Sequence, residues 1–460
     1  MLSSSIFKKS LTAPCCSASS ILKKLAELFG CVYLYNNCHS IIGFLPQFYC
    51  IQHTEQLHIY NRNAAFEYTN NTDVHSLQKL IQFNNLDPDK NLNTAMETSF
   101  NGGYIGFIDY NFAAQQQVVS NLKKQPNLYL GLYLSYIKQE NGEWIFYSHE
   151  NNALDIFNLV NQLINTDNAA EKNIDAQQFK LNTICQARWS KQKYLNTLST
   201  VQEYIKAGDC YQINLTQEFT AKAQGLLLDI AEDFWNLTAA PYSGYLRVDD
   251  FELLSCSPEL FINFESDRKI VTKPIKGTMP RHDDPVRDEQ SKNTLIHSKK
   301  DQAENVMIVD LLRNDLSVYA ETGSVRTPKL FEIESFNQVH HMVSEVTAVL
   351  KKDVNPFDVL LSALPGGSIT GAPKIRAMEI IEELEDTPRG AYCGSLGYFN
   401  LDGTGSWNIL IRSIQKYQDD LSIWAGGGIT IASNAEAEYQ ECFDKVSAML
   451  DLLNTWYKPE

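Results

Sequence analysis

The sequence predicts an α+β fold built on antiparallel sheets, and three observations carry that reading. Strand-like runs occur in adjacent groups between helices rather than alternating one for one with them, as a parallel sheet would require. No fixed-period repeat interrupts the chain, and its low complexity is confined to one polar stretch. With 460 residues the chain exceeds the usual single-domain size, so one large two-part fold or two domains is expected. The polar stretch, Asn165 to Gln178, is rich in Asn, Asp, Ala and Gln and divides an N-terminal region, 1–180, from a second region, 181–460.

The elements follow from local pattern. Ser19 to Phe29 has amphipathic helical spacing, and Cys31 to Tyr35 and Trp144 to Ser148 are strand-like. Between those strands lies the glycine-containing segment Asn101 to Phe107. From Ser190 to Ala207, Tyr194, Leu198, Val201 and Ile205 recur at helical spacing, and Gly208 is a C-terminal stop. Lys269 to Thr278 alternates as a strand, with Ile270, Thr272, Pro274 and Lys276 on one face and Val271, Lys273 and Ile275 on the other. A helix spans Lys300 to Leu312, with Glu304 on the face of Met307, Ile308 and Leu311. The last helix opens on a capping box of Ser433 and Glu436 and buries Tyr439, Phe443, Val446, Leu450 and Leu453.

Composition removes several classes of function. A formal charge of -16 opposes binding to nucleic acid or to an anionic membrane, although a local basic pocket can still hold a small anion. No apolar run approaches membrane-spanning length. Of the ten cysteines only Cys15 and Cys16 are adjacent, and no pair has the two-residue gap of zinc or redox sites. Reduced thiols in the cytoplasm are expected. The first 26 residues carry lysines but neither acids nor arginine, and their helical pattern reads as folded protein rather than a transit peptide.

Several residues stand where packing alone would not put them. Lys276 lies in Pro274-Ile275-Lys276-Gly277-Thr278. Pro274 lacks an N–H for the ladder and Gly277 admits a close neighbour, so this strand end suits a site where burial makes a lysine amine nucleophilic. Glu304 on an apolar face calls for a cation, a lysine or a metal beside it. Glu438, Glu441 and Lys445 fall at i, i+3 and i+7, a grouping that suits a hard divalent cation such as Mg2+ or a solvated charged face. Upstream, Gly426-Gly427-Gly428 allows backbone N–H groups to line an anion site. The loop Pro365 to Lys374 feeds a helix that Pro373 starts, but it lacks the residues of a phosphate-binding P-loop. Glu259 in Ser257-Pro258-Glu259-Leu260, the pair His340-His341, and Arg412 complete the candidates.

As an ordered set, Gly208 to Leu215, Ser257-Pro258-Glu259, Pro274 to Thr278, Ala303 to Asp310, Pro365 to Lys374, Gly426 to Ile429 and Glu438 to Glu441 closely resemble the chorismate-utilising enzymes. The resemblance covers Trp189 to about Leu453, and the first half more loosely. It implies two orthogonally packed antiparallel sheets flanked by helices, in four layers, enclosing a Mg2+-dependent chorismate site. By this resemblance Glu304, Glu438 and Glu441 are metal ligands, and Lys445 lies near the metal. Arg412 and the backbone of Gly426, Gly427 and Gly428 bind the pyruvyl carboxylate, and Thr278 belongs to the same substrate-binding set. Glu259 is the general acid for the departing C4 hydroxyl, with His341 near it. Lys276 marks the branch that makes 4-amino-4-deoxychorismate, since the anthranilate branch is similar to Pro-Ile-Ala-Gly-Thr here. In that branch the lysine attacks C2, and ammonia supplied by a separate glutamine amidotransferase subunit then adds at C4. Anthranilate synthesis, isochorismate synthesis and a non-catalytic regulatory subunit are the alternatives. The family's N-terminal tryptophan-pocket motif is replaced by Val32 to Asn37, so feedback inhibition by tryptophan is not expected.

Overall fold

A computed structural model describes residues 6–12, 16–53, 55–70, 77–83, 99–166, 178–335 and 339–459. Among them the chain forms two large antiparallel sheets flanked by helices, the architecture expected. The boundary stretch Asn165 to Gln178 falls almost wholly outside the described residues. Each sheet takes strands from both sides of it. The first runs Phe7–Ser10, Glu143–Ser148, Ser135–Glu140, His39–Gly43, Val32–Asn36, Tyr242–Val248, Phe251–Ser257, Ser413–Tyr417, Asp420–Ile429, Gln212–Gln224. The second runs Ile275–Pro280, Val339–Val349, Lys269–Thr272, Leu260–Phe264, Gly405–Asn408, Ser395–Asn400, Gly103–Ile108, Pro126–Tyr133, Phe48–His53, Gln56–Arg62, Tyr68–Asn70.

The strand period of two sorts side chains among three cores and so produces the layers. Val32, Leu34 and Ile41 join Ile105, Phe107 and Leu396 between the sheets, whereas Tyr33 and Ile42 turn to the helices outside the first sheet. Tyr104 and Ile108 turn to the helices outside the second. Helix Lys191–Ala207 belongs to the first outer layer, burying Tyr194, Leu198 and Val201. Ser190 caps it by accepting from the Lys193 N–H, and Gly208 ends it at φ 86°.

Five local expectations are corrected. The N-terminal helix covers only Ala18–Lys24, capped by Ser17. Lys269 to Thr278 is two strands, Lys269–Thr272 and Ile275–Pro280. Pro274 cannot donate to the ladder, and the register slips between Ile275 and Thr278 around Gly277 at φ 81°, so the simple alternation of faces does not carry through. The helix bearing Glu304 runs further, Lys299–Ser317. Asn434, not Ser433, caps helix Ala435–Asp444: the Asn434 side chain accepts from the Ala437 N–H, whereas the Ser433 oxygen accepts from the Thr430 N–H and its proton goes to Glu438; a break at Lys445–Val446 then separates a second helix, Ser447–Asn454. Helix Lys374–Leu384 begins after Pro373, which stays extended as its cap.

Candidate active site at the seam of the two sheets

Two segments cross from one sheet to the other side by side, and they position the site. Ser257-Pro258-Glu259 links strand Phe251–Ser257 of the first sheet to Leu260–Phe264 of the second. Ile409 to Arg412 links Gly405–Asn408 of the second to Ser413–Tyr417 of the first. The Ser257 hydroxyl donates to the Ile409 carbonyl at 2.5 Å, the Ile409 N–H to the Glu259 carbonyl at 3.1 Å, and the Cys256 N–H to the Arg412 carbonyl at 3.2 Å. Backbone bonds thus bring Glu259 and Arg412 to one seam.

Glu259 is buried there, 7% exposed. Burial pushes its carboxyl up to about 7; the Lys276 ammonium and the nearby polar groups of Ser368 and Ile275 pull it back only in part. Lys276, on the edge strand Ile275–Pro280, is half-buried. Its Nζ donates to the Ser368 carbonyl at 3.3 Å, and among the described residues it has no ion pair. Burial holds its amine below the ordinary lysine value, with Glu259 and Glu304 opposing that shift. Gly277 must be glycine: a Cβ there would sit 2.8 Å from Leu295 Cδ1 and 2.9 Å from Asp301 Cγ.

Beside Lys276, Thr278 pairs in register with His341, and its hydroxyl lies 2.8 Å from His341 Nδ1. Burial, helped by the nearby Arg412 guanidinium, lowers His341 to about 4, so the imidazole is neutral at physiological pH. The preceding His340 faces elsewhere, to Asp288 at 3.1 Å and Ser335 at 2.8 Å. Arg412 is half-buried at φ 50°, and among the described residues its guanidinium has no hydrogen-bond or ion-pair partner.

The acidic group lies over the glycine run. Gly426, Gly427 and Gly428 are in strand Asp420–Ile429, paired with Thr216, Leu215 and Asn214 on one edge. The other edge is open there, because strand Ser413–Tyr417 pairs only as far as Ile423. A Cβ on Gly427 would lie 3.1 Å from Glu438 Oε2, 3.4 Å from Glu441 Oε1 and 3.6 Å from Lys445 Nζ, so three charged tips converge on the bare Cα. Lys445 pairs with Glu441 at 2.7 Å and donates to the Gly426 carbonyl at 2.8 Å. Glu438, 6% exposed, accepts from the Ser433 hydroxyl at 2.7 Å. Glu304 reaches the same group of charges: burial raises its pKa, Glu438 adds to the rise, and Lys276 opposes it. Its nearest cation is Lys300, at 3.9 Å.

Lys276, Glu259, Glu304, Glu438, Glu441 and Lys445 therefore form one electrostatic cluster, with Thr278, His341 and Arg412 along the seam. The three metal-candidate glutamates do not close into a cage: among the described residues no group of three or more acidic, histidine or cysteine side chains is placed to hold an ion. Lys374, at the end of the glycine-rich loop, is buried in an ion pair with Asp315 at 2.9 Å. That pair gives the segment Asp310 to Asp315 a structural purpose. Ser368 was not among the sequence candidates.

A lysine and a carboxylic acid at a sheet seam, within the field of an acidic group over a glycine strand, are groups able to move a proton and to meet a small anion. The family of chorismate binding enzymes matches residues 46–451, and the chain belongs to it. Among its relatives is aminodeoxychorismate synthase component 1 of Salmonella typhimurium, 40% identical over 362 residues, 76% of either chain. The protein of the same name from Escherichia coli is 38% identical over 399 residues, 84% of this chain and 83% of that one. Of solved structures, anthranilate synthase component I from Streptococcus pneumoniae superposes with a TM-score of 0.74 at 26% identity, covering 90% of this chain and 92% of that one.

Proposed function

We propose that this chain catalyses the reaction of aminodeoxychorismate synthase component 1, in which chorismate and ammonia give 4-amino-4-deoxychorismate and water. The observation that carries the reading is the pairing of Lys276, a half-buried amine held below its usual pKa, with Glu259, a buried acid near pH 7. A nucleophile must be unprotonated and a general acid protonated, and each of these two shifts runs in the direction its group needs. An anthranilate-forming site would have no use for the lysine.

In this mechanism the Lys276 amine forms a bond to C2 of chorismate, the ring π electrons shift, and the C4–O bond breaks. The departing hydroxyl takes the Glu259 proton and leaves as water. Ammonia then bonds to C4, the electrons shift back, and the C2–N bond breaks with its pair returning to Lys276 as a neutral amine. The new C4 ammonium gives a proton to Glu259, so both groups are regenerated. Splitting one displacement into two is the gain from covalent catalysis. Arg412 and the open edge of Gly426 to Gly428 would take the pyruvyl carboxylate, with Thr278 and Lys445 on the substrate side and neutral His341 beside the leaving oxygen.

Glu304, Glu438 and Glu441 suit Mg2+ by chemistry, an all-oxygen acidic set in which the half-buried Glu304 carboxyl is raised by burial and, in smaller part, by Glu438, and would be relieved by a cation. Bound there, Mg2+ would supply positive charge to the ring carboxylate. Ammonia is assigned to a separate glutamine amidotransferase subunit, and the product to 4-aminobenzoate and folate synthesis in the cytoplasm. Among the described residues no helix is long and apolar enough to cross a membrane.

The test is product identity: purified protein with chorismate, ammonium and Mg2+, analysed by mass and ultraviolet spectrum, with a chelated control. Chelator-sensitive 4-amino-4-deoxychorismate is expected. Anthranilate or isochorismate as the product would overturn the reading.

A further inference from the structure

The turn that follows the glycine strand is tied to the acidic group by one side chain. Strand Asp420–Ile429 ends with Ile429 paired to Ile213, and residues 430–433 lead into helix Ala435–Asp444, which carries Glu438 and Glu441. The turn closes on its own backbone, with the Ser433 N–H donating to the Thr430 carbonyl at 3.1 Å. From helix Lys191–Ala207 the Gln202 amide holds both ends, donating to the Thr430 carbonyl at 3.5 Å and to the Ser433 carbonyl at 3.0 Å. These holds do not use the Ser433 side chain, which makes two bonds of its own. Its oxygen accepts from the Thr430 N–H at 3.1 Å, and its hydroxyl donates to Glu438 Oε1 at 2.7 Å. The other oxygen, Glu438 Oε2, lies 3.1 Å from the place a Cβ on Gly427 would take, and among the described residues no donor meets it.

We infer that Ser433 is a positioning residue for Glu438: it occupies one carboxyl oxygen and so presents the other, free of protein donors, to the space over Gly427. The inference rests on the role proposed above for the acidic group in holding Mg2+. A hydroxyl has a single proton to give, and because the Ser433 oxygen already takes the Thr430 N–H, that proton is directed to Glu438. The bond pins the plane of the carboxylate, whose terminal torsion is otherwise broad, with one oxygen on the serine and one over the glycine. A hard cation is bound through carboxylate oxygens, and hydrogen bonds behind a ligand orient it before the ion arrives. Glu441 has a matching hold: its Oε1 pairs with Lys445 at 2.7 Å, and Lys445 donates to the Gly426 carbonyl at 2.8 Å. Each acid of this helix is thus tied back to one flank of the glycine run, Glu441 at Gly426 and Glu438 at Thr430.

The test compares wild type with Ser433→Ala and with Ser433→Thr, which keeps a hydroxyl. Mg2+ binding is measured by titration calorimetry, with and without chorismate and in the absence of ammonia, and crystal structures of the metal-free proteins record where the Glu438 carboxylate lies. Ser433→Ala should weaken Mg2+ binding by roughly 10- to 100-fold, the usual effect of removing a hydrogen bond behind a metal ligand. It should also move the carboxylate off Gly427 while thermal unfolding stays near wild type, and Ser433→Thr should restore both affinity and position. In turnover, the Mg2+ concentration giving half the maximal rate should rise in the alanine variant, whereas the rate at saturating Mg2+ should recover. Unchanged affinity in Ser433→Ala overturns the inference, as does a carboxylate that stays over Gly427 or a threonine variant that behaves like alanine. A wild type that binds no Mg2+ in either condition overturns the metal reading alone, and the place of the carboxylate in the two variants then decides the positioning role.

Discussion

Two basic side chains hydrogen-bond neighbouring carbonyls of one loop and have opposite surroundings. Arg389, 1% exposed, donates to the Ile369 carbonyl at 3.0 Å and the Asn214 carbonyl at 2.7 Å, and grips Glu385 through two bonds of 2.8 Å. Glu385 in turn accepts from the Thr216 N–H at 3.0 Å and its hydroxyl at 2.8 Å. Every charge there has a fixed partner, and the guanidinium is pushed to still higher pKa by Glu385 against the effect of burial. Lys276, by contrast, has one 3.3 Å bond to the adjacent Ser368 carbonyl and a pKa pulled down by burial. A buried cation with a bidentate carboxylate is a structural tie; one left with a single neutral acceptor is suited to the reagent's role proposed for Lys276.

The comparison breaks most sharply at Lys276 itself. Lys276→Ala should lower 4-amino-4-deoxychorismate formation by on the order of 10^4-fold or more, as removing a covalent nucleophile does elsewhere, while thermal unfolding stays near wild type. Normal amination by this variant would end the covalent role. Arg389→Met should do the reverse in kind: it strands the Glu385 carboxylate in the interior and should cost about 3–5 kcal/mol in denaturant unfolding. A loss below 1 kcal/mol would show that the loop does not depend on this tie.

What could be read from the sequence follows the same division between local and long-range causes. Helix Lys191–Ala207 was legible because its cap, its stripe and its terminal glycine all lie within a short window. The strand from Lys269 was only half legible: Pro274 and Gly277 signal an irregularity, but the slipped register that results depends on pairing with Val339–Val349. Ser433 satisfied the capping pattern and lost the role to Asn434 because its oxygen accepts instead from the Thr430 N–H, a competition between near neighbours that the capping pattern does not rank. The seam that sets Glu259 beside Arg412 arises from two strands changing sheets, and nothing near either residue announces it. Ser368 stayed hidden for a different reason. Its contact with Lys276 is made by a backbone carbonyl, which every residue type has; the one local clue was Gly367, whose missing Cβ makes room for Leu311.

The smallest effect sharpens the comparison by sign, and it concerns the two carboxyls. Glu259 has a folded pKa of about 7 against an ordinary 4.5, so the fold favours its protonated form. Stability from that preference is complete below about pH 4.5 and is lost as pH rises to about 7, because the folded protein must then carry a buried carboxylate. The difference of about 2.5 pH units corresponds to about 3 kcal/mol. Glutamine mimics the protonated acid and cannot ionise. Glu259→Gln should therefore match wild type in unfolding free energy near pH 4 and exceed it by about 3 kcal/mol at pH 8, while kcat falls by roughly 10^2- to 10^4-fold. Glu385→Gln should behave oppositely at pH 8 and lose stability, because Arg389 is left buried without a counter-charge. If both variants shift in the same direction at pH 8, the distinction between a structural tie and a strained catalytic pair fails.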